Sequence, residues 1–189
     1  MKIVMYSCMS DGYDHVKNDG RIYLPPDRSQ ISPRMSIKPI KVIPYMYDIP
    51  KHDWSIWIDS NIHIGNKTPE DILKMFNYAE CGVYIHPKRK TINEEIKACI
   101  DQKLDNPNNC KYHINKPGLL AACGIVIRKN TTRVQELCNL WWQEILNGSS
   151  RDQLSFPYTL GTIAEYRKAD IYKEFHVDRK HLKLRQSTK

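Results

Sequence analysis

Two oxygen-bearing side chains, Asp59 and Asn61, directly follow an apolar run over residues 54–58. In an extended chain residues i and i+2 project to the same side, and the carboxyl end of a strand in an open α/β sheet faces the usual ligand crevice. Two oxygen ligands there suit Mg²⁺ or Mn²⁺, because phosphate oxygens and water complete the shell of such a cation. Asp, Ser and Asn also form tight turns, so a turn and a metal site both remain open.

A third metal ligand could come from a histidine late in the chain. His176 and His181 are the candidates. His176 lies between Phe175 and Val177, so a histidine at the edge of the core is the alternative interpretation.

The basic segment HPKRK, residues 86–90, follows a predicted strand. Arg89 and the neighbouring lysines could hold a phosphate or a carboxylate there, and a solvated basic loop is the alternative. His86 could bind a ligand, exchange a proton or simply form a hydrogen bond.

Three consecutive polar residues, Arg151, Asp152 and Gln153, precede an apolar helical face. If this helix start points into the crevice, Asp152 could accept a proton from a hydroxyl or hydrogen-bond a sugar. A carboxylate in the first turn of a helix is also favoured by the helix dipole, without any function.

Strands and helices alternate along the chain and would position these groups. Four apolar runs predict strands: KIVMYS, WSIWID, CGVYIHP and AACGIVIRKN. Four helical patterns lie around them: TPEDILKMFNYAE, TINEEIKACIDQKL, TRVQELCNLWWQEILNG and SSRDQLSFPY. Their start and stop signals are Thr68, Thr91 with Glu94, Gly148, and Ser150 with Gln153. This alternation predicts an α/β fold with a largely parallel sheet.

Length and charge limit the function classes. A chain of 189 residues favours a single domain, and we expect it to span residues 1–189 with a basic tail from about residue 179. The formal net charge is +8, which favours an anionic partner such as a nucleic acid, a nucleotide-bearing substrate or a lipid surface. Solubility alone is the alternative explanation of this charge.

The cysteines and the terminus bear on the compartment. None of the six cysteines lies in a CxxC spacing, which argues against a zinc knuckle or a redox pair and favours a reducing, cytoplasmic location. The N-terminal run is too short for a signal peptide, and no apolar run is long enough to span a membrane. The chain also lacks GxGxxG, P-loop, GxSxG and HExxH motifs, so dehydrogenase, kinase and hydrolase functions have no support from motifs.

Several segments, taken in order, resemble one protein family. They are MYSCMSDGYDHV, WSIWIDSNIHI, HPKRKTINEEIKACI, CGIVIRKN and WWQEILNGSSRDQLSFPY. The family is the glycosyltransferase-like domain of the plant mucilage-related type, formerly a domain of unknown function, which has bacterial and viral relatives. The resemblance covers roughly residues 1–160.

The resemblance implies a GT-A-like, nucleotide-binding sandwich whose mostly parallel central sheet is flanked by helices. Such enzymes move a sugar from a nucleotide-sugar, here expected to be a UDP-sugar, to an acceptor hydroxyl. Asp59 matches the first carboxylate of the family's metal-binding Asp-x-Asp motif, whereas Asn61 replaces the second carboxylate with a neutral ligand. The site would therefore offer the implied Mn²⁺ or Mg²⁺ one negatively charged ligand fewer than usual.

The resemblance also assigns the remaining site residues. Tyr6 and Ser7, which lie in the first strand, would lie beside the nucleotide base. Lys38 and Lys41 match a basic stretch that would reach the donor phosphates. The RDQ segment would lie on the sugar and acceptor side, with Asp152 as the general base of an inverting reaction.

The acceptor remains open. The charge favours an acidic, intracellular acceptor, and hydroxymethylated DNA glycosylated by a phage-type enzyme in the host cytoplasm is one hypothesis. A surface glycan or a lipid-linked saccharide is the competing acceptor. A non-catalytic nucleic-acid-binding module on the same fold is the alternative from another class.

Overall fold

Strands and helices alternate in the computed structural model, which describes residues 1–8, 19–27 and 35–177. The strands are β1 Ile3–Cys8, β2 Ile22–Leu24, β3 Trp54–Ile58, β4 Ile62–His63, β5 Cys81–Ile85, β6 Ala121–Lys129, β7 Ala164–Arg167 and β8 His176–Val177. The helices are α1 Lys38–Val42, α2 Pro69–Lys74, α3 Ile92–Asp101, α4 Pro107–Lys111, α5 Thr132–Asn147, α6 Asp152–Ser155 and α7 Ile171–Glu174. The sequence predicted the longer elements and also the short elements β3, β5 and α6. It missed seven other short elements, because two to five residues show no clear period: β2, β4, β7, β8, α1, α4 and α7.

Six strands form one sheet in the order β2-β1-β3-β6-β5-β7. Strand β1 is parallel to β2 and β3, and β5 is parallel to β7, whereas β6 is antiparallel to both β3 and β5. Five strands therefore end at one edge of the sheet, which we call the carboxyl edge, and β6 begins there. The predicted α/β fold with a mostly parallel, GT-A-like sheet is confirmed.

Both faces of the sheet are buried. On one face Tyr6 and Trp57 pack in a core that includes Trp141 of α5. On the other face Ile56 packs in a second core with Ile72 of α2. Adjacent strand residues point to opposite faces, so a strand covered on both sides has a continuous apolar sequence, as β3 does.

The helix-start signals were right in two cases and wrong in one. Thr68 and Thr91 cap α2 and α3 by accepting hydrogen bonds from backbone N–H groups three residues on. The Ser150–Gln153 capping box is absent, because α6 begins at Asp152 and Ser150 Oγ instead donates to Asp105 Oδ2 at 2.6 Å. The Asp105 carboxylate, which is distant in the chain, thus takes the Ser150 hydroxyl that would otherwise cap the helix.

Gly148 ends α5 as predicted, but for a different physical reason. Its φ of −128° lies outside the left-handed region in which a helix-ending glycine usually lies. An added Cβ would instead overlap the ring of His113, which is fully buried against this backbone. The position needs glycine because of a close tertiary approach.

Several expectations lie partly or wholly outside the described residues. The predicted glycine turn after β1, His181 and the basic tail from about residue 179 all belong to this group. Within the described ranges all six cysteines are buried and free, and no helix there is long and apolar enough to cross a membrane.

The Gly148→Ala substitution is expected to lower the free energy of unfolding by about 1–3 kcal/mol, because the new methyl group would overlap the buried His113 ring. Urea denaturation measures the loss. Gly65→Asn is the matched control: Gly65 has a φ of +62°, which Asn tolerates, and open space around its Cβ position. Equal losses in the two variants would contradict the crowding argument.

Candidate active site

The residues after β3 form a turn. Ile62 N donates to the carbonyl oxygen of Asp59 at 2.9 Å, so the chain reverses direction after Ile58. The premise that Asp59 and Asn61 continue an extended strand and project to one side is therefore wrong. Arg21, whose side chain is fully buried, stabilises the turn by donating to the carbonyl oxygens of Asp59 and Ile62 at 3.4 and 2.9 Å.

The Asp59 carboxylate nevertheless lies at the carboxyl edge, where a ligand could reach it. Its side chain is 41% exposed. Oδ1 accepts a hydrogen bond from the indole Nε1 of Trp57 at 2.7 Å and lies 3.4 Å from Lys41 Nζ. Oδ2 lies beside Gly124, where an added Cβ would be 3.5 Å away. One oxygen is thus held by the protein, and the other remains for a ligand.

Asp152 lies at the centre of the site, between two lysines. Its carboxylate is almost fully buried, with Lys38 Nζ 2.8 Å from Oδ1 and Lys41 Nζ 2.6 Å from Oδ2. Burial alone would raise the pKa of Asp152, but the two ammonium charges outweigh it and hold that pKa well below its usual range. Helix α6 is a single turn, so the lysines, not a helix dipole, stabilise this carboxylate.

The two lysines differ in their electrostatic environment. Burial would lower the pKa of Lys41, but the nearby carboxylates of Asp152 and Asp59 outweigh it and raise that pKa. Burial lowers the pKa of Lys38, and Asp152 offsets only part of that effect. Lys41 is therefore the more firmly charged of the two and links both carboxylates of the site.

A buried arginine holds the helix that carries these lysines. Arg128 of β6 donates from Nη1 to the carbonyl oxygens of Lys41 and Val42, at 2.6 and 3.2 Å, at the end of α1. Its Nη2 donates to the hydroxyl of Tyr6, which in turn donates to the carbonyl oxygen of Lys41 at 3.3 Å. Tyr6 is fully buried, and burial raises its pKa to about 12. The Tyr6 hydroxyl thus helps Arg128 to hold the end of α1 in place.

A second buried carboxylate joins two of the predicted segments. Glu95 of α3 is fully buried and forms ion pairs with Arg89 and, at 3.0 Å, with Arg151. Arg151 Nη2 also donates to Gln153 Oε1 at 2.7 Å. The basic segment 86–90 and the RDQ segment therefore meet around one carboxylate, next to Asp152.

His86 is held as a neutral imidazole. Its Nδ1 accepts hydrogen bonds from the backbone N–H groups of Lys88 and Arg89 at 3.2 and 3.0 Å, and Arg89 Nη2 lies 3.1 Å from its Nε2. Burial, reinforced by the charge of Arg89, lowers the pKa of His86 to about 4. The ring fixes the shape of the basic loop and carries no charge at neutral pH.

A further network positions the backbone before Asp152. Asp105 accepts from both hydroxyls of Ser149 and Ser150, at 2.8 and 2.6 Å. His113 Nε2 accepts from Ser149 N at 3.0 Å, so its Nδ1 carries the proton and donates to Tyr158 OH at 2.6 Å. The Tyr158 hydroxyl donates to Glu144 Oε2 at 2.7 Å.

Three other predicted residues, Ser7, Asn61 and His176, form no ion pair with a described residue of the site. His176 pairs with His63 in the small sheet of β4 and β8 and is exposed, and the ring centroids of the two histidines are 5.2 Å apart. Ser7 is buried, and among the described residues its hydroxyl has no hydrogen-bond partner. Nowhere in the described ranges do three or more His, Cys, Asp or Glu side chains form a metal-binding group. The metal-ligand roles of Asn61 and His176, and the base contact of Ser7, stay predictions.

The sequence of the chain matches the model of a known family. A family model for the TOD1/MUCI70 glycosyltransferase-like domain matches residues 42–186. The chain belongs to this family. Membership supports glycosyl transfer as the general activity. No match was found among curated proteins.

The matched range differs from the range inferred from the sequence, roughly residues 1–160. It includes Asp59, the 86–90 loop and the RDQ segment, and it extends past residue 160. It begins after Lys41, so the assignments of Tyr6, Ser7 and the two lysines gain no support from the family match. Their place in the site depends on the geometry described above.

Sequence reasoning missed several residues of the site, namely Arg21, Trp57, Glu95, Asp105, His113 and Arg128. Each lies in an element or loop whose sequence reads as ordinary core or surface. The one available signal was charge within apolar patterns, as for Arg128 in β6 and Glu95 in α3, because buried charges are retained only when paired.

Stability should depend on the two buried neutral histidines. The folded state holds the pKa of His86 and of His113 at about 4, against 6.5 in the unfolded chain, so the unfolded state binds more protons between these values. The contribution of these two histidines to the free energy of unfolding is therefore fully present above about pH 6.5, and it is lost as the pH drops towards 4.

Urea denaturation from pH 4.5 to 8 measures this dependence, and His113→Gln should remove about half of it. The expected contribution of each histidine is at most on the order of 3 kcal/mol. Parallel pH curves for the variant and the unaltered protein would contradict the assignment to His113.

Proposed function

We propose that the chain transfers a glycosyl group from a nucleotide-sugar, with UDP-sugars the first donors to test, to an acceptor hydroxyl. The observation that carries the proposal is the convergence of Lys38, Lys41, Asp59 and Asp152 at the carboxyl edge of the sheet. Ligands of open α/β sheets bind at this edge. Family membership supports the general reaction, and the geometry supports this edge as the donor site.

The reaction breaks the bond between the anomeric carbon and the diphosphate oxygen of the donor and forms a bond to the acceptor oxygen, and the proton of the acceptor hydroxyl passes to the departing diphosphate. Negative charge grows on the departing diphosphate. Preformed cationic groups that face this charge stabilise the transition state without reorganising. Lys41 is charged and positioned by Asp152, Asp59 and the Arg128-anchored helix, so we assign it, together with Lys38, to the diphosphate.

The implied Mn²⁺ or Mg²⁺ fits the site only as a cation shared with the donor. The described residues offer one carboxylate oxygen, Asp59 Oδ2, while Oδ1 is occupied by Trp57 and approached by Lys41. Magnesium and manganese commonly use few protein ligands and complete their shells with phosphate oxygens and water. Bound in this way, the metal would neutralise charge on the diphosphate.

Asp152 fits a positioning role better than that of general base. A carboxylate whose pKa is held well below its usual range, and which contacts two ammonium groups, is a weak proton acceptor at neutral pH. We propose that it fixes both lysines. Arg151 and Gln153 extend from the same segment and would contact the sugar or the acceptor.

For the acceptor we propose DNA, including hydroxymethylated bases of phage DNA. The support is the formal charge of +8, which a polyanion complements and a neutral glycan does not. Binding to DNA should weaken steeply with salt, whereas transfer to a neutral glycan or lipid-linked saccharide should depend little on salt.

Asp59→Asn should lower kcat/KM for nucleotide release about 100-fold or more, because the amide removes the negative charge that would bind the shared Mn²⁺ or Mg²⁺ and that faces Lys41, while keeping the side-chain shape. Release is followed over a panel of nucleotide-sugars with Mn²⁺ and with chelator. Asp101→Asn is the matched control, since in the described part of the chain this exposed carboxylate pairs only with Lys97 on α3.

Unchanged turnover in Asp59→Asn would reject the assignment. A wild-type protein that releases nucleotide from none of the donors, yet binds DNA, would support the non-catalytic module instead. Two observations favour this second function: Asn61 is neutral, and Asp152 is a weak base.

The pH profile of kcat/KM tests the role of Asp152. Between pH 5 and 8 the activity should show no acid limb, because Asp152 stays ionised and His86 stays neutral throughout this range. An acid limb with a midpoint in this range would show that a base titrates there, and would contradict the positioning role if Asp152→Asn removed it.

A further inference from the structure

An exposed surface of unusual composition lies between α4 and β6. Within the segment 111–119, Tyr112, Ile114 and Leu119 are 41%, 45% and 39% exposed. Lys111 and Lys116 are exposed beside them, and among the described residues neither forms an ion pair with a carboxylate. We call these five side chains the 111–119 surface.

The backbone of this surface is firmly held. Asn115 has a φ of 61°, in the left-handed region, and exchanges two hydrogen bonds with Asn93, each of 3.2 Å. Gly118 has a φ of 120°, and an added Cβ would lie 2.5 Å from the Cβ of Pro157. The exposed apolar side chains are therefore presented on a loop whose backbone is held by these contacts.

The surface adjoins the candidate active site on both sides. Leu120, the next residue, accepts from His86 N at 2.9 Å and donates to the carbonyl oxygen of Lys90 at 3.2 Å. Lys116 Nζ lies 5.8 Å from the ring centroid of Tyr112 and 5.2 Å from that of Tyr158, which follows α6. The surface thus lies between the 86–90 loop and the segment that continues from Asp152.

We propose that the 111–119 surface binds the acceptor and that this acceptor is a single strand of nucleic acid. The proposal rests on the proposed glycosyltransferase function and assigns its acceptor site. Lysines that pair with no carboxylate among the described residues attract a phosphate backbone, and the exposed ring of Tyr112 offers a surface on which a base can stack.

The apolar members favour a nucleic acid over an acidic glycan. Ile114 and Leu119 offer aliphatic surface, which matches the flat faces of unstacked bases better than the hydroxyl-covered rim of a sugar. Chemistry on a base also requires that base to leave the helical stack, so single-stranded DNA is the form that such a loop would engage.

Fluorescence anisotropy with a labelled single-stranded oligonucleotide tests the proposal on the full chain. Tyr112→Ala should weaken binding roughly 10-fold or more, as the loss of one stacking platform does. Lys111→Ser combined with Lys116→Ser should reduce the slope of log Kd against log salt by about 1.4, since each phosphate contact on a single strand contributes about 0.7.

Matched controls use residues of the same type outside the surface. Tyr172 is 43% exposed on α7, and Lys97 is exposed on α3 and paired with Asp101. Tyr172→Ala and Lys97→Ser should leave the oligonucleotide Kd unchanged. Thermal unfolding of every variant checks that the fold persists.

The outcomes separate the proposal from the function on which it rests. Equal losses in the surface and control variants, or tighter binding of an acidic polysaccharide that is lost in the same surface variants, would overturn the nucleic-acid assignment. Nucleotide release by the unaltered protein tests the glycosyltransferase function independently. If the unaltered protein releases nucleotide and the surface variants bind the oligonucleotide normally, this inference is contradicted and the glycosyltransferase function is not.

Discussion

One ion-pair cluster organises the site: the buried carboxylate of Asp152 between the ammonium groups of Lys38 and Lys41. Burying a single charge costs several kcal/mol, so each of these groups requires the others to stay in place. The cluster joins α1, whose two lysines precede the matched family region, to α6, which lies within it. Through the 3.4 Å contact of Lys41 with Asp59 it also reaches the turn after β3.

The surrounding networks hold the elements that carry this cluster. Arg128 fixes the end of α1, Glu95 joins Arg151 to the 86–90 loop, and Asp105 holds the backbone before Asp152. In each case a buried polar group is satisfied by partners distant in the chain, as a low-dielectric interior demands. The resulting site is held by these buried contacts and borders the exposed 111–119 surface.

The sequence predicted much of the fold but only part of the site. Continuous apolar runs identified β3 and β6, and capping signals located α2 and α3 correctly, because these are local effects. The turn at Asp59 was weighed against a metal site, and the structure contains the turn while leaving one carboxylate oxygen open. The Ser150 cap failed because a carboxylate 45 residues away took the hydroxyl.

Sequence alone determined the alternation of elements, the mostly parallel sheet and the polar residues that end its strands, because period and turn chemistry are encoded over a few neighbouring positions. Only the tertiary structure decided which charges meet. The ionisation of Asp152, the neutrality of His86 and the burial of Tyr6 all depend on contacts between segments separated by 3 to 122 residues. Burial and Coulomb energy depend on distance in space, and the separation along the chain does not reveal that distance.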